Sequence, residues 1–494
     1  MKKPYGKKVV AAISAAAMTM SLVACGGAAP AEAPAEAPAE APAEEVAEAP
    51  AEEEAAEEAE EEVVEEEVSP YTVITDDAGN PIDLGGMEVI IRNWWSPEEP
   101  AEPANDYEEA RDEYREWIQE TYNFTIRELA ISDWASAPQD FVDYVTTGGD
   151  DANYVFTLRN DPAIVSAMAN GLMYDLSTLD CLDFSSPKFM KNLTHEMYSY
   201  YCMSAGPSEA RTGVFFNKRL LTEAGIDPES LYDMQADGSW TWAKFEELMA
   251  QCHRDTDNDG VVDIYGLTLN ESIMTDQAVV SNGGSYVGKN ADGTYFNNLE
   301  APETIEALEW CVDMYTKFDN HDPEGAEWDY YKEEFVNGKA AFMVEQEYAG
   351  TPGQFLIDME DEVGFVMFPK GPKYDNYINV WDNNGYAIPS CYDADRAWKI
   401  AFAYNLFTED PAGYEDYNGY LSTARTGIFD SRAVDETIAM MSEPEHGTVA
   451  YHGLIPNLAT GPELTWSIAP NAVVSELVEA ISATWTAYIE EANK

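Results

Sequence analysis

The sequence predicts an α/β protein built as two lobes. Three observations carry that reading. From Met87 onward, apolar strand-like runs alternate with amphipathic helical stretches, the pattern of a parallel sheet with helices on its faces. The chain has 494 residues, and roughly 425 remain once a low-complexity start is set aside, enough for two sizeable cores. The predicted strands end in tryptophan and paired polar residues, where ligands of such sheets sit.

The chain opens with Lys2, Lys3, Lys7 and Lys8, then an apolar run from Val9 to Ala24. A basic start, a short apolar centre and small residues before a cut site make residues 1–24 a secretory signal peptide. The run is too short for a membrane span, which needs roughly 20 residues. Leu22-Val23-Ala24-Cys25 resembles the bacterial lipobox, in which Cys25 becomes the lipidated first residue of the mature protein. An ordinary export signal with an incidental cysteine is the alternative. Residues 25–69 read as a disordered tether. They pass from an Ala-Pro-Ala-Glu repeat into a glutamate run without Lys or Arg, and such composition buries no core. Proline spacing and like-charge repulsion favour an extended chain with a reach of order 100 Å.

Each element of the body has a local reason. Glu88 to Trp95 is an apolar run ending in aromatics, and reads as a buried strand. Asp106 to Tyr122 places Tyr107, Ala110, Tyr114, Trp117 and Ile118 on one helical face. Phe124–Ala130 and Tyr154–Leu158 are further strands; Pro138–Thr147 and Asp161–Asn170 are helices, the second closed by Gly171. The strand ends carry Asn93-Trp94-Trp95, Ile131-Ser132-Asp133-Trp134 and Arg159-Asn160-Asp161. The formal net charge of -66 repels phosphate backbones and argues against a nucleic-acid partner. Apart from Cys25, five cysteines are spread thinly, so Cys181, Cys202, Cys252, Cys311 and Cys391 read as buried small apolar residues, with one disulfide open.

Five further segments appear in order. They are Asn170-Gly171-Leu172-Met173-Tyr174-Asp175-Leu176; Gly213 to Leu221 with Phe216-Asn217-Lys218 at its centre; Ser239-Trp240-Thr241-Trp242-Ala243-Lys244-Phe245; Phe335-Val336-Asn337-Gly338-Lys339-Ala340-Ala341-Phe342-Met343; and Gly364 to Gly371, ending in Pro369-Lys370-Gly371. In this order they resemble the extracytoplasmic solute-binding proteins of sugar importers, the class that includes maltose-binding protein. The resemblance runs from about Met87 to the C-terminus. It implies a type II periplasmic-binding-protein fold, maltose-binding-protein-like, with hinge-crossing strands near Val214–Asn217 and Gly385–Pro389. The first lobe would comprise 70–213 and 389–430, and the second 214–388 and 431–494. Ala394 to Thr408 would be a helix of the first, and the last helices from about Thr465 would pack on the second. The family function is capture of a carbohydrate and its delivery to an ABC transporter permease, by a monomer that is not an enzyme.

Sugars present hydroxyl edges and apolar faces, so a site needs flat aromatics and bidentate polar groups. The chain has 12 Trp and 29 Tyr. The strand ends of the first lobe offer Trp94, Trp95, Asp133, Trp134, Arg159 and Asn160. The second offers Asn270 and Glu271. The resemblance adds Glu345, Glu347 and Tyr348 after the Gly-Lys-Ala-Ala segment, Trp381, Asp382 and Asn383 near the second crossing, and Trp466. Trp240 and Trp242 read as packing residues. Two other readings stay open. A peptide or amino-acid binder would use Arg159 and Glu345 as a charged clamp, and a surface glycosidase would need two carboxylates flanking a cleft.

Asp255-Thr256-Asp257-Asn258-Asp259-Gly260-Val261-Val262-Asp263 is the sharpest local motif. Asp at positions one, three, five and nine and Gly at six make the oxygen cage of an EF-hand-type loop, with the Val261 carbonyl at seven. Position twelve is Gly266 where that loop carries a bidentate Glu. The loop therefore reads as a structural Ca2+ brace needing another donor. Gly283-Gly284-Ser285-Tyr286-Val287-Gly288-Lys289-Asn290 nearly spells a phosphate-binding loop, but Asn290 replaces the required Ser or Thr and a turn follows. His195-Glu196 lacks the second His of a zinc protease, and no nucleophile elbow is present.

Overall fold

The computed structural model describes residues 69–494 except 98–101, 104, 160, 191–196, 205–210, 322, 352–353, 358, 382–383, 415–416, 426 and 429. The leader, Cys25, nearly all of the tether, Asn160, Asp382 and Asn383 lie outside the described residues.

The strands in chain order are β1 (Met87–Asn93), β2 (Phe124–Ala130), β3 (Asn153–Leu158), β4 (Thr212–Asn217), β5 (Tyr265–Leu269), β6 (Val287–Lys289), β7 (Tyr295–Asn297), β8 (Ala340–Gln346), β9 (Val363–Met367), β10 (Asn379–Val380), β11 (Gly385–Ala387) and β12 (Gly447–Thr448). They form one sheet in the order β11-β3-β1-β2 and a second in the order β5-β8-β4-β9. The pairs β10–β12 and β6–β7 stand apart. The helices that matter here are α1 (Asp106–Tyr122), α2 (Ala137–Thr146), α3 (Pro162–Ala169), α4 (Trp242–Cys252), α5 (Glu271–Ser281), α6 (Pro302–Phe318), α7 (Tyr330–Val336), α8 (Ala394–Phe407) and α9 (Val474–Ala492).

In the first sheet β1 pairs in parallel with β2 and β3, while β11 runs antiparallel to β3. Alternation sends Val155 of β3 into a core with Val89, Ile91, Tyr114 and Ile400, and Phe156 and Leu158 into another with Phe141 and Ile164. Helices cover both faces, so both sets are apolar. Helix α1 starts where the Asn105 side chain accepts the Glu108 N–H at 3.0 Å, with Asp106, Glu108 and Glu109 in the first turn. It stops at Asn123, which takes the left-handed conformation. The expected strand over 88–95 ends two residues early, because Trp94 and Trp95 turn away from the ladder after Asn93.

In the second sheet β5 and β8 are parallel, and β4 runs antiparallel to both β8 and β9. Thr241 caps α4 by accepting the Lys244 N–H at 3.4 Å, and the Lys244 ammonium turns to Glu247 instead of completing a capping box. Gly338 turns α7 into β8 at φ +65, and a Cβ there would stand 2.6 Å from the Arg219 side chain. Trp240 is fully buried and donates Nε1–H to the Met367 carbonyl at 2.7 Å. Trp242 stacks on Trp310 with centroids 4.2 Å apart. Both are packing residues, as the sequence indicates.

Ile400, Ala401 and Phe402 of α8 pack in the core with β1, and Trp485 and Ile489 of α9 in the core with β4 and β8. Ala424 and Ile428 already belong to the second core. The chain therefore returns to the second lobe before residue 424, ahead of the boundary drawn at 430. Past this return, Asp430 is tied into the second lobe, where it pairs with Lys218 at 2.8 Å and accepts the Tyr232 hydroxyl at 2.6 Å. The described cysteines are all free; Cys202, Cys252 and Cys311 are buried, but Cys181 is half-buried and Cys391 exposed, against the expectation for those two. Replacing Trp240 by Ala removes a fully buried ring and unpairs a buried carbonyl. The expected loss is about 3–5 kcal/mol in a urea melt; a loss below about 1 kcal/mol would remove Trp240 from the core.

Candidate ligand-binding edges

Parallel strands end together. In the first sheet the carboxyl ends of β1, β2 and β3 share an edge with the amino end of β11, where Gly385 faces Leu158. In the second, the carboxyl ends of β5, β8 and β9 share an edge with the amino end of β4, where Thr212 faces Gln346. Loops leaving these edges are released from the ladder, and their side chains are free to meet a ligand.

On the first edge Trp94 and Trp95 meet edge to face with centroids 4.9 Å apart, Trp95 being 48% exposed. Asn93 beneath them is buried and anchors the turn through Ser96 and the Trp95 and Ser96 N–H groups. Trp134 is 59% exposed. Arg159 holds it: the guanidinium lies 4.1 Å from the ring centroid, Nε donates to the Trp134 carbonyl at 3.0 Å, and Nη1 pairs with Asp161 at 2.8 Å. Asp133 accepts the Ala135 and Ser136 N–H groups, and that bonding holds its carboxyl below the usual range. Arg159 and Asp133 thus shape the loop around the indole.

On the second edge Asn270 caps α5 through the Ser272 and Ile273 N–H groups and meets the Tyr331 hydroxyl. The Glu271 carbonyl accepts the Tyr315 hydroxyl at 3.3 Å. Glu345 is fully buried and accepts the Tyr331 hydroxyl at 2.7 Å and the Gln346 N–H at 2.8 Å. Burial pushes its pKa up. Glu347 is buried, and its N–H donates to the Arg211 carbonyl. Tyr348 is half-buried beside Glu345, and burial pushes its phenol up to about 12. Trp466 is 66% exposed, and its neighbour Thr465 bonds Ser272 at 2.7 Å, which places it beside the start of α5.

The structure thus brings together Asn270, Glu345 and Tyr348, and on the other edge Trp94, Trp95, Asp133, Trp134 and Arg159. Trp381 does not present an open face: it is 3% exposed, and a Cβ at Gly447 would stand 1.9 Å from its ring. It is a packing residue at the β10–β12 pair, because Gly447 lets the two backbones close over it. Trp328 was not singled out from sequence. It is 72% exposed just before α7, with the Lys332 ammonium 5.3 Å from its ring centroid. It follows no predicted strand, so only its place before the Phe335–Met343 segment could have signalled it. Tyr107, Tyr414 and Tyr417 form a second aromatic group missed for the same reason, with Tyr107 stacked on Tyr417 at 4.7 Å. The large indoles open to solvent among the described residues are then Trp95 and Trp134 by the first edge and Trp328 and Trp466 by the second.

The family model described as "Bacterial extracellular solute-binding protein" matches residues 117–401. The chain belongs to this family. The solute-binding protein is similar in fold to UgpB from Mycobacterium tuberculosis in complex with glycerophosphocholine, with a TM-score of 0.56, 15% identity, and 78% of this chain and 95% of that chain covered. It is similar to the cyclic alpha-maltosyl-1,6-maltose binding protein from Arthrobacter globiformis, with a TM-score of 0.53, 16% identity, and 82% and 100% covered. It is also similar to the ABC substrate-binding protein Lmo0181 from Listeria monocytogenes in complex with cycloalternan, with a TM-score of 0.51, 15% identity, and 83% and 97% covered. At these identities the likeness is one of fold, and it is the two-lobed α/β architecture expected from sequence. A search of curated proteins finds no match.

The solute-binding protein also carries the acidic loop between α4 and β5. One carboxylate oxygen from each of Asp255, Asp257 and Asp263 lies within 4.8 Å of the others, a group able to hold a metal ion. Asp259 stands outside that group and accepts the Val261 N–H at 2.8 Å. Asp263 accepts both the N–H and the hydroxyl of Thr256, which holds its carboxyl low.

Proposed function

We propose that this protein captures a neutral carbohydrate between its two lobes and delivers it to an ABC transporter permease. The observation that carries the reading is the set of four open indoles, Trp95 and Trp134 in loops that follow strands of the first sheet, Trp328 before α7 and Trp466 beside the start of α5. Flat, exposed indoles suit the apolar faces of sugar rings, and the carboxylates and amides beside them suit hydroxyls. Trp94, Asn160, Glu271, Tyr348, Asp382 and Asn383 complete the proposed site. The similar protein in complex with cycloalternan and the similar cyclic alpha-maltosyl-1,6-maltose binding protein support the ligand class. Micromolar binding needs about -8.2 kcal/mol, within reach of two or three stacked rings and several hydrogen bonds of net ~1 kcal/mol. A ligand touching both lobes favours the closed state by its differential affinity for it.

The peptide reading is weaker. Its clamp needs Arg159 and Glu345 free, yet Arg159 is engaged with Trp134 and Asp161, and Glu345 is buried on Tyr331. Uronates are disfavoured by the acidic chain.

Two attachments belong to the same reading. Cys25 anchors the mature, monomeric protein to the outer face of the cell membrane by its lipid. A Ca2+ ion sits in the 255–263 loop: the donors are hard carboxylate oxygens on alternate residues, and Gly260, at φ +93, makes the sharp turn at position six. The Val261 carbonyl, Asp259 and water complete the shell, and the ion braces the turn between α4 and β5.

A thermal-shift panel of neutral oligosaccharides, uronates, peptides and amino acids tests the ligand class. A shift with a neutral glycan that stays intact is expected, and Trp328→Ala should weaken it by about 2 kcal/mol, roughly thirtyfold in Kd. Shifts with peptides alone, or cleavage of the glycan, would sink the assignment. Chelation should lower Tm, Ca2+ should restore it, and Asp257→Asn should remove the difference; a chelator-insensitive Tm leaves the loop metal-free. Cys25→Ser should release the protein from the membrane fraction into the medium, and unchanged fractionation would reject the anchor.

A further inference from the structure

The glycine-rich stretch 283–288, which fails as a phosphate loop, walls a cavity of about 230 Å³. Across from it stand α5, the residues around Ile378 and Val380, and the segment 448–452. The backbone packs tightly behind this wall: a Cβ at Gly284 would stand 2.9 Å from Thr304 Oγ1, and one at Gly288 2.1 Å from the Phe296 ring. The cavity is larger than the ~150 Å³ apolar hole that admits benzene. Tyr374, 39% exposed, is part of its lining, so the wall reaches the protein surface there.

Three of its polar lining groups bear on what it could hold, Asp276, Tyr286 and His452. Tyr286 is 2% exposed, and its hydroxyl donates to the Asp276 carboxyl. Among the described residues no other group bonds that carboxyl, and burial pushes it up to about 7 against the lowering by the hydroxyl. His452 lies against the Tyr286 ring with centroids 5.3 Å apart, and burial pushes its pKa down to about 4, so it stays neutral. Cys311 is the other titratable group that senses Asp276. Lys289 rests over the Tyr451 and Tyr295 rings and is not among the groups that shift Asp276. A carboxyl whose charge meets only a phenol, beside a cavity with apolar walls, is left without a counter-ion.

The chemistry selects that occupant. An anion would meet Asp276 with no cation beside it. A bare metal ion finds one carboxylate and one imidazole, and the only metal-capable group among the described residues is the Asp255 loop. Val279, Val380 and Val449 supply apolar wall around the charge. We propose that the cavity is a second ligand site, taking a small organic ammonium ion whose charge meets Asp276 and whose short apolar part lies along these valines. Val279 belongs to the second-lobe core and Val449 to a first-lobe core, so an occupant touches both. The site is separate from the strand edges and does not depend on the carbohydrate reading.

The test titrates n-butylammonium, ethanolammonium and the neutral isostere 1-butanol into the full chain and into Asp276→Asn, following Tm at pH 8 and pH 5.5. At about 50 mM, any Kd in the millimolar range or below gives a measurable rise. At pH 8 the carboxyl is ionised and the amine protonated, so the ammonium ions raise Tm and butanol does not. Below pH 7 the ammonium must displace the proton on Asp276, and apparent affinity falls about tenfold per pH unit. Asp276→Asn weakens binding about tenfold or more by removing the charge-assisted contact. Without ligand this variant melts no lower than the parent at pH 8, because it no longer buries a bare carboxylate, so loss of response cannot come from misfolding. No shift with either ammonium ion, an equal shift with butanol, or an undiminished shift in Asp276→Asn overturns the proposal, water being then the cavity's only occupant.

Discussion

The rest of the structure depends on a constraint of parallel strands. Each must return through a helix, so all their carboxyl ends gather on one edge of the sheet. In this protein two sheets obey it, and each adds one antiparallel strand where the chain arrives from or leaves for the other lobe. The loops at those edges have no ladder to complete. They can carry indoles into solvent at a burial cost that the cores on either side offset.

The edges are rigid because polar side chains are used beneath them. Arg159 supports Trp134 from below its ring, and Asn93, Asp133 and Asn270 hold loop backbone through N–H groups. Glu345 is the deepest of these. Its desolvation is offset by the Tyr331 hydroxyl and the Gln346 N–H, and removing either would strand a buried carboxylate. Residues chosen from sequence as ligand contacts thus divide into those that present rings and those that fix the presenters. The second group matters as much, since a ring held loosely gains affinity only after its own ordering has been paid.

Three crossings join the lobes, and the third differs in kind. The first two lead into strands, β4 of the second sheet and β11 of the first. The return before Ala424 is anchored by an ionic cluster in which Lys218 meets both Glu229 and Asp430, while Arg432 meets Asp233 and Glu436 and lies 4.8 Å from the Tyr232 ring centroid. Arg432 therefore fastens the returning chain to the second lobe. Beside it, the segment after β12 packs Val449 and Leu454 against Phe141, Leu158 and Ile164 of the first lobe. Relative motion of the lobes has to pass through these contacts.

By itself the sequence determined what local chemistry fixes. Strand–helix alternation, the caps at Asn105 and Thr241, Gly338 in its turn and the Asp255–Asp263 spacing are all properties of neighbouring residues, though of that last pattern the structure gathers Asp255, Asp257 and Asp263 and leaves Asp259 outside. The strand ends of the first lobe were legible for the same reason, because a ligand edge there follows directly from three consecutive strand–helix units. What only the tertiary structure decided is which rings stay open. Trp328 and Trp381 are both tryptophans of connecting segments, yet one is 72% exposed and the other 3%. The difference lies in Gly447, which closes over Trp381 from 66 positions away in the chain. Exposure is a property of what packs against a residue, and that partner is set by the fold, not by the neighbours in sequence.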